Sequence, residues 1–364
     1  MRLSHARRAM SVRFDDPNLG SCAGLAAVLA LAARCGLGGL VADRVRITAK
    51  DGANAGVKVV ALVAGMVAGA DSIDDMGLRR HGGMGRLFDD VRAPSTLGTF
   101  LRCFTFGHVR QLDAVSWRFL ARLAAATPLL PGAEQVAFVD LDDTVKATYG
   151  YAKQAGRGYT GVNGLNALLA TICTPLSAPV IAATRLRKGS TNSVRGAAKL
   201  LADALACARA AGGGGLLIVR ADSAYYYCRD IIAAARRAGA RFSVTARQTP
   251  AVITAVAGIG EQAWTPIHYP NAVFDADEQR WISDAEVAEV EFTAFTGRRR
   301  AEQVTARLIV RRVAGSTRPP SRPGRRRCSP STGITRSSLT APNRCWTPRP
   351  ATATTPSSSR SSPT

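Results

Sequence analysis

Hydrophobic and polar positions follow two different periods along this chain, and the change of period divides it. From Asn18 to about Leu130, apolar residues recur at helical spacing in segments rich in Ala, Leu and Val. Asn18 or Ser21 is placed to cap a first helix running to about Cys35, where Gly36 ends it. A second helix is predicted over 56–70. Ser72-Ile-Asp-Asp-Met starts another, with acidic residues at its positive end. Pro94-Ser-Thr-Leu-Gly-Thr-Phe-Leu-Arg102 has the Ser/Thr start of a short helix, and the segment from His108 to Arg122 reads as a longer amphipathic one.

After Pro128–Gly132 the pattern shortens to β-rich apolar runs bounded by turn residues. Strands are predicted over 136–142, 179–185, 216–221 and 241–247, with a further apolar segment over 164–173. Helices are predicted over 193–211 and 225–240. Gly212–Gly215 lacks the Lys-Ser/Thr of a phosphate-binding loop and reads as a tight helix-to-strand turn. Residues 252–312 mix turns with strand-like stretches such as Glu291–Phe295 and Thr305–Arg311. From Val313 the chain is rich in Ser, Thr, Pro and Arg, has no periodicity, and is expected not to pack. The expected organisation is α/β: a helical region at 1–130 with a DNA-binding role in view, a mixed sheet with flanking helices at 131–250, a β-rich insertion at 251–312, and a disordered tail at 313–364.

Two of the predicted strands end in acid. Val136-Ala-Phe-Val-Asp140-Leu-Asp142-Asp143-Thr144 is one, and Leu216-Leu-Ile-Val-Arg-Ala-Asp222-Ser223 is the other. On a strand Asp140 and Asp142 share a face and Asp143 takes the opposite one. Two carboxylates at a buried strand end are costly unless a cation or hydrogen bonds stabilise them. Carboxylates at the same end of neighbouring parallel strands can share a divalent metal, the minimum for metal-assisted phosphoryl transfer. For Asp222 and Ser223 a helix N-cap is the competing role.

Charge points to the partner. The formal net charge is +22 and the pI about 10.7, which favours a polyanion, with nucleic acid first. Residues 313–364 contribute nine Arg and no acid, so residues 1–312 still carry +13. Lys153, Arg157, Arg185, Arg187, Lys188, Arg195 and Lys199 lie between the acidic motifs and suit a phosphodiester backbone. Arg102, Arg110, Arg118 and Arg122 surround the junction of two predicted helices, which fits either a helix-turn-helix reader of DNA or an ordinary helical hairpin with basic faces. Tyr225, Tyr226 and Tyr227 offer base stacking or burial against the sheet. The eight Cys form no CxxC pair and no zinc spacing with the four His. No secretory signal fits the start, and the apolar stretch Cys22–Leu40 is broken by Arg34 and several Gly, so a cytoplasmic protein is expected.

Two family resemblances compete. Phe138-Val-Asp140-Leu-Asp142-Asp143-Thr144 resembles the first motif of haloacid-dehalogenase-type phosphatases, which would make Asp140 the nucleophile and Asp142 the general acid/base. That likeness covers under ten residues, and Asp222-Ser-Ala-Tyr-Tyr-Tyr-Cys lacks the partner carboxylate of that family's later motif. Over about residues 13–312 the chain resembles bacterial insertion-sequence transposases of the DDE type. The likeness is carried by Ala70-Asp-Ser-Ile-Asp-Asp-Met-Gly-Leu-Arg79, Ala93-Pro-Ser-Thr-Leu-Gly-Thr-Phe-Leu-Arg102, the Asp-Leu-Asp-Asp-Thr strand, Leu186-Arg187-Lys188-Gly189-Ser190 and Val219-Arg-Ala-Asp222-Ser223. The resemblance implies a ribonuclease-H-like core, two Mg²⁺ or Mn²⁺ ions, and DNA cleavage and strand transfer at terminal inverted repeats. It further implies a homodimer on DNA and a nucleoid-associated location. By position Asp142 is the first catalytic carboxylate, with Asp140 as its rival, and Asp222 is the second. Arg187, Lys188, Arg102 and Arg110 are the expected DNA contacts.

The third family carboxylate, a Glu within a segment resembling H-R-x-H-A-x-I-E, has no counterpart, since no acidic residue follows Glu302. Cys328–Ser338 can be encoded so that a neighbouring frame reads LFAVYRYHAFV, and Thr355–Thr364 so that it reads HAIIEQVIAD. The second string holds a Glu across the codons of Ser358 and Ser359. The expectation is a frameshift between about Val313 and Cys328, leaving a transposase whose catalytic set is incomplete, or a non-catalytic DNA-binding remnant.

Overall fold

The structure is a computed structural model and describes residues 18–149, 152–267, 274–275, 280–281, 285–313 and 333–340. It divides into two units, Met1–Arg247 and Gln248–Thr364. Among the described residues of the first unit, six α-helices precede the sheet: α1 (Leu25–Arg34), α2 (Leu37–Arg44), α3 (Ala55–Val67), α4 (Met84–Leu87), α5 (Pro94–Arg102) and α6 (Phe106–Ala126). Gly36 takes a φ of 74°, open to glycine at no steric cost, and α1 and α2 meet there at a bend of 52°. Among the described residues no single helix is long and apolar enough to cross a membrane. Leu40, Val41, Leu62, Phe100 and Val115 bring α2, α3, α5 and α6 into one core. Burying a side chain of that size stabilises by about 1.5–3 kcal/mol. Thr105 and His108 form a reciprocal capping box that starts α6 two residues before the predicted position. The segment after Ser72 becomes a 3₁₀ helix, Asp74–Arg80, tied at its start by the Ser72 hydroxyl donating to Asp75 at 2.6 Å.

The sheet of this unit contains β1 (Val136–Ala147), β2 (Gly156–Arg157), β3 (Asn163–Cys173), β4 (Val180–Arg187), β5 (Leu216–Ala221) and β6 (Arg241–Thr245). Helix α7 (Ala197–Ala210) crosses from β4 to β5, and α8 (Arg229–Arg237) from β5 to β6. The order is β2-β3-β1-β5-β6, with β4 also paired to β3. β1, β3 and β4 run antiparallel to one another in turn, whereas β5 is parallel to β1 and β6 to β5. Three antiparallel strands followed by two parallel ones with helical crossovers are the expected ribonuclease-H-like α/β arrangement.

Along β1 the pleat buries Ala137, Val139, Leu141 and Asp143 and leaves the even positions half-buried or exposed. Helix α7 packs on β1, β3 and β4 and buries Leu200, Leu201 and Leu205. β1 runs five residues past its predicted end because β3 continues to pair with it as far as Ala147 opposite Gly164.

The second unit holds α9 (Pro250–Ala257), β7 (Thr265–Ile267), β8 (Phe274–Asp275), β9 (Arg280–Trp281), β10 (Ala285–Ala294), β11 (Val304–Val313) and β12 (Gly333–Thr340). β7, β10, β11 and β12 pair antiparallel in that order, and β8 pairs with β9. The β-rich character expected of 251–312 is present. Within the segment beyond Val313 that was expected not to pack, the described stretch Gly333–Thr340 pairs with β11, and the rest of that segment lies outside the described residues. This stretch lies between Pro330 and Pro342, so each residue has an N–H for the ladder, and Ile334, Thr335 and Thr340 favour extended backbone. Arg312 ties the unit together, bonding Glu286 at 2.5 Å and Glu261 at 2.7 Å while lying over Trp264.

Candidate active site at the ends of two parallel strands

The parallel ladder between β1 and β5 pairs Asp140 with Arg220 and ends at Leu141 opposite Ala221. The next residues are Asp142 and Asp222. Asp222 keeps an extended backbone (φ −79°, ψ −176°), so the pleat continues and both carboxylates fall on the even-numbered face. Burial raises the Asp142 carboxyl above its usual range; the Asp143 N–H donating to its Oδ1 at 2.8 Å opposes this, and the charges of Asp222 and Asp143 add to it. Asp222 Oδ1 accepts from the N–H of Ala224 at 3.0 Å and caps the 3₁₀ turn Ser223–Tyr225, so the capping role weighed from sequence is real. That turn delays α8 to Arg229, four residues after the predicted start.

Asp140 sits on the same face but is already engaged. Arg220 grips it with Nε at 2.5 Å and Nη2 at 2.7 Å, and the same guanidinium lies 4.2 Å from the Phe138 ring centre. A bidentate guanidinium–carboxylate pair is among the stronger polar contacts a partly exposed site offers.

On the opposite face the sequence reading missed a buried polar cluster. Asp143 (6% exposed) accepts from the Tyr225 hydroxyl at 3.1 Å, from the Asn166 amide, and from Arg187 at 3.4 Å. Its only sequence signal was the odd position of an acid on a buried strand. Tyr159 donates to the Asp143 carbonyl at 3.1 Å. Its phenol is raised first by desolvation and then by the charges of Asp143, Asp142 and Asp222. Arg247, two residues past the end of β6, donates to the Ser223 carbonyl at 3.0 Å and thereby touches the turn that follows Asp222.

The basic residues divide. Lys188 and Arg102 are exposed. Arg187 is interior, with a side chain 7% exposed and bonds to Asp143, Asn166 and the carbonyls of Asn192, Ser193 and Arg195; an expected DNA contact is thus held inside the protein. Arg110 pairs with Asp113 at 2.5 Å and reaches Asp203 of α7 at 3.8 Å. Arg118 bonds back to Ala114, and Arg122 reaches the Cys35 carbonyl at 3.5 Å. α6 is 21 residues long and also packs on β4 and α7, so it is part of the scaffold beside the sheet. Of the three tyrosines, Tyr225 and Tyr226 are buried and Tyr227 is exposed, with Arg247 over its ring. Among the described residues no three His, Cys, Asp or Glu side chains converge as a metal cluster. The acidic constellation is the pair Asp142 and Asp222.

Sheet order, crossovers and acidic strand ends define a ribonuclease-H-like protein. The family is equally plain: the profile of the transposase DDE domain, group 1, matches residues 3–317, and the chain belongs to that family. It is therefore a DDE-type transposase, from a family that acts on DNA and typically uses a divalent metal. No curated protein matches the chain. The phosphatase reading of the Asp-Leu-Asp-Asp-Thr motif loses its footing, since its nucleophile would be Asp140, which Arg220 holds.

Proposed function

We propose that this chain carries the core of an insertion-sequence transposase that cleaves and transfers DNA strands at terminal inverted repeats, with Asp142 and Asp222 as its metal-binding carboxylates. The observation that supports this best is the β1–β5 register, which ends one residue before both acids. The donor set suits Mg²⁺ or Mn²⁺, hard cations that take carboxylate oxygens. A partly desolvated Asp142 beside a second carboxylate is relieved by a divalent cation. When bound, the metal supplies activation of a water or a DNA 3′-hydroxyl and stabilisation of the leaving oxygen. The chain's own groups do the holding. The Asp143 N–H orients Asp142, the Ala224 N–H orients Asp222, and Arg220 keeps Asp140 apart. Lys188 and Arg102, both exposed, are the basic side chains we assign to phosphate contacts. A homodimer holding two element ends at the bacterial nucleoid completes the reading.

These 364 residues offer no acid after Glu302, so the family's third carboxylate is not supplied there. Two carboxylates in place of three bind metal weakly, and we propose that this chain is a poor catalyst. The test is binding and nicking of duplex DNA carrying terminal repeats, with Mg²⁺ or Mn²⁺. The expected result is binding that weakens steeply with salt, with little nicking. Absence of salt-sensitive binding would contradict the transposase reading. Robust nicking that is lost on Asp222→Ala would overturn the inactivity and keep the carboxylates.

A further inference from the structure

We infer that Asp143, Tyr225, Asn166 and Arg187 form a buried clamp that fixes the turn of Asp222 against the strand of Asp142 and so sets the spacing of the two carboxylates. The inference rests on the proposed metal-binding role of that pair.

The four side chains come from four elements. Asp143 is on β1, Asn166 on β3, Arg187 at the end of β4, and Tyr225 in the 3₁₀ turn after β5. Asn166 and Tyr225 are 0% exposed. Their bonds form a continuous set. Tyr225 donates to Asp143 Oδ1; the Asn166 amide and Arg187 Nη2 both donate to Asp143 Oδ2; and Arg187 Nε donates to the Asn166 side-chain oxygen at 2.8 Å. Arg187 Nη1 then reaches the carbonyls of Ser193 at 3.1 Å and Arg195 at 2.6 Å, in the segment leading into α7.

Its placement gives the clamp its function. The β1–β5 ladder stops at Leu141 opposite Ala221, so backbone pairing does not extend to the two acids. Beyond that point the Tyr225–Asp143 bond ties the strands. Asp143 follows Asp142 directly and donates its N–H to it, and Tyr225 closes the turn that Asp222 caps. The links therefore run from Asp142 through Asp143 and Tyr225 back to Asp222. Burying a carboxylate and a guanidinium where apolar residues would pack as well is poor value for stability alone, whereas a fully bonded polar set specifies one arrangement. Groups behind metal ligands commonly set affinity in this way.

The experiment measures Mn²⁺ affinity of the full chain by water-proton relaxation, together with the melting temperature. The variants are Tyr225→Phe, which removes only the hydroxyl, and Arg187→Lys, which keeps the charge and loses the fork. Asp142→Asn is the ligand reference. Thr174→Val is the stability control, since its buried hydroxyl bonds Pro131 and Leu176 away from the acids. Tyr225→Phe is expected to weaken Mn²⁺ about 10-fold, while Thr174→Val lowers the melting temperature and keeps the affinity. Unchanged affinity in Tyr225→Phe overturns the clamp; should that variant not fold, Arg187→Lys is judged by the same criterion. Equal weakening in Thr174→Val also overturns it, because the effect is then general loosening. If Asp142→Asn binds as the parent does, the carboxylate pair itself falls and the clamp with it. If only Asp142→Asn loses binding, the pair stands and the clamp alone is wrong.

Discussion

Asp142 and Asp143 are neighbours with opposite surroundings, and the pleat of one strand is the reason. Asp143 faces inward to Tyr225, Asn166 and Arg187, while Asp142 faces the open side with Asp222 beyond the end of the ladder. The Asp142 carboxyl is raised in the fold, chiefly by burial. Its charged form is therefore less favoured folded than unfolded. The stability linked to its proton is complete below the ordinary carboxylate value and is lost as pH rises through the raised one. At pH 7 the folded protein carries the full penalty, which Asp142→Asn removes. That variant is expected to melt higher than the parent at pH 7, with the difference shrinking as pH falls through the carboxylate range. Thermal melts from pH 7 to 4 check this, and an unchanged or lower melting temperature at pH 7 would refute it. The acidic motifs themselves were legible in the sequence, because apolar runs ending in acid have few uses. Which acid was free was not, since the answer lay in Arg220 reaching across from the next strand.

Strands were easiest to read where burial alone defines them: β5 falls on the predicted residues 216–221. Boundaries set by distant partners were not legible. β1 outlasts its apolar run because β3 supplies ladder partners, and α8 starts late because Tyr225 bonds a residue 82 positions earlier. The strand Gly333–Thr340 was hidden by a composition that argues against packing, although its window contains no proline. The Leu186-Arg-Lys-Gly-Ser190 motif gains a physical reason at this scale. A Cβ on Gly189 would run into the carbonyl oxygens of Gly164 and Gly156, so three backbone segments meet where only glycine fits. Gly189→Ala is expected to cost about 1–3 kcal/mol in urea unfolding, because backbone must shift. Gly214→Ala, where the nearest atom lies 4.0 Å away, is the matched control and should stay close to the parent. Equal stability of the two variants would contradict this packing.

For the molecule as a whole, the net charge of +22 and the family agree on DNA as the partner, and the proposed function gives the paired acids to metal and the exposed cations to phosphate. For the helical part, a DNA-reading pair of helices and an ordinary helical hairpin with basic faces both fitted the sequence. In the fold α6 packs on the sheet, and three of its four nearby arginines bond within the chain, a commitment that spacing along one helix cannot reveal. The central claim is that Asp142 and Asp222 hold the metal. Its most direct test is iron-directed cleavage: Fe²⁺ is loaded in place of Mg²⁺, ascorbate and peroxide are added, and the cut positions are mapped by mass spectrometry. Cuts are expected on both sides of Asp142 and Asp222, to be suppressed by excess Mg²⁺, and to disappear in Asp222→Asn. Cuts that cluster elsewhere, or that persist unchanged in Asp222→Asn, would contradict the account.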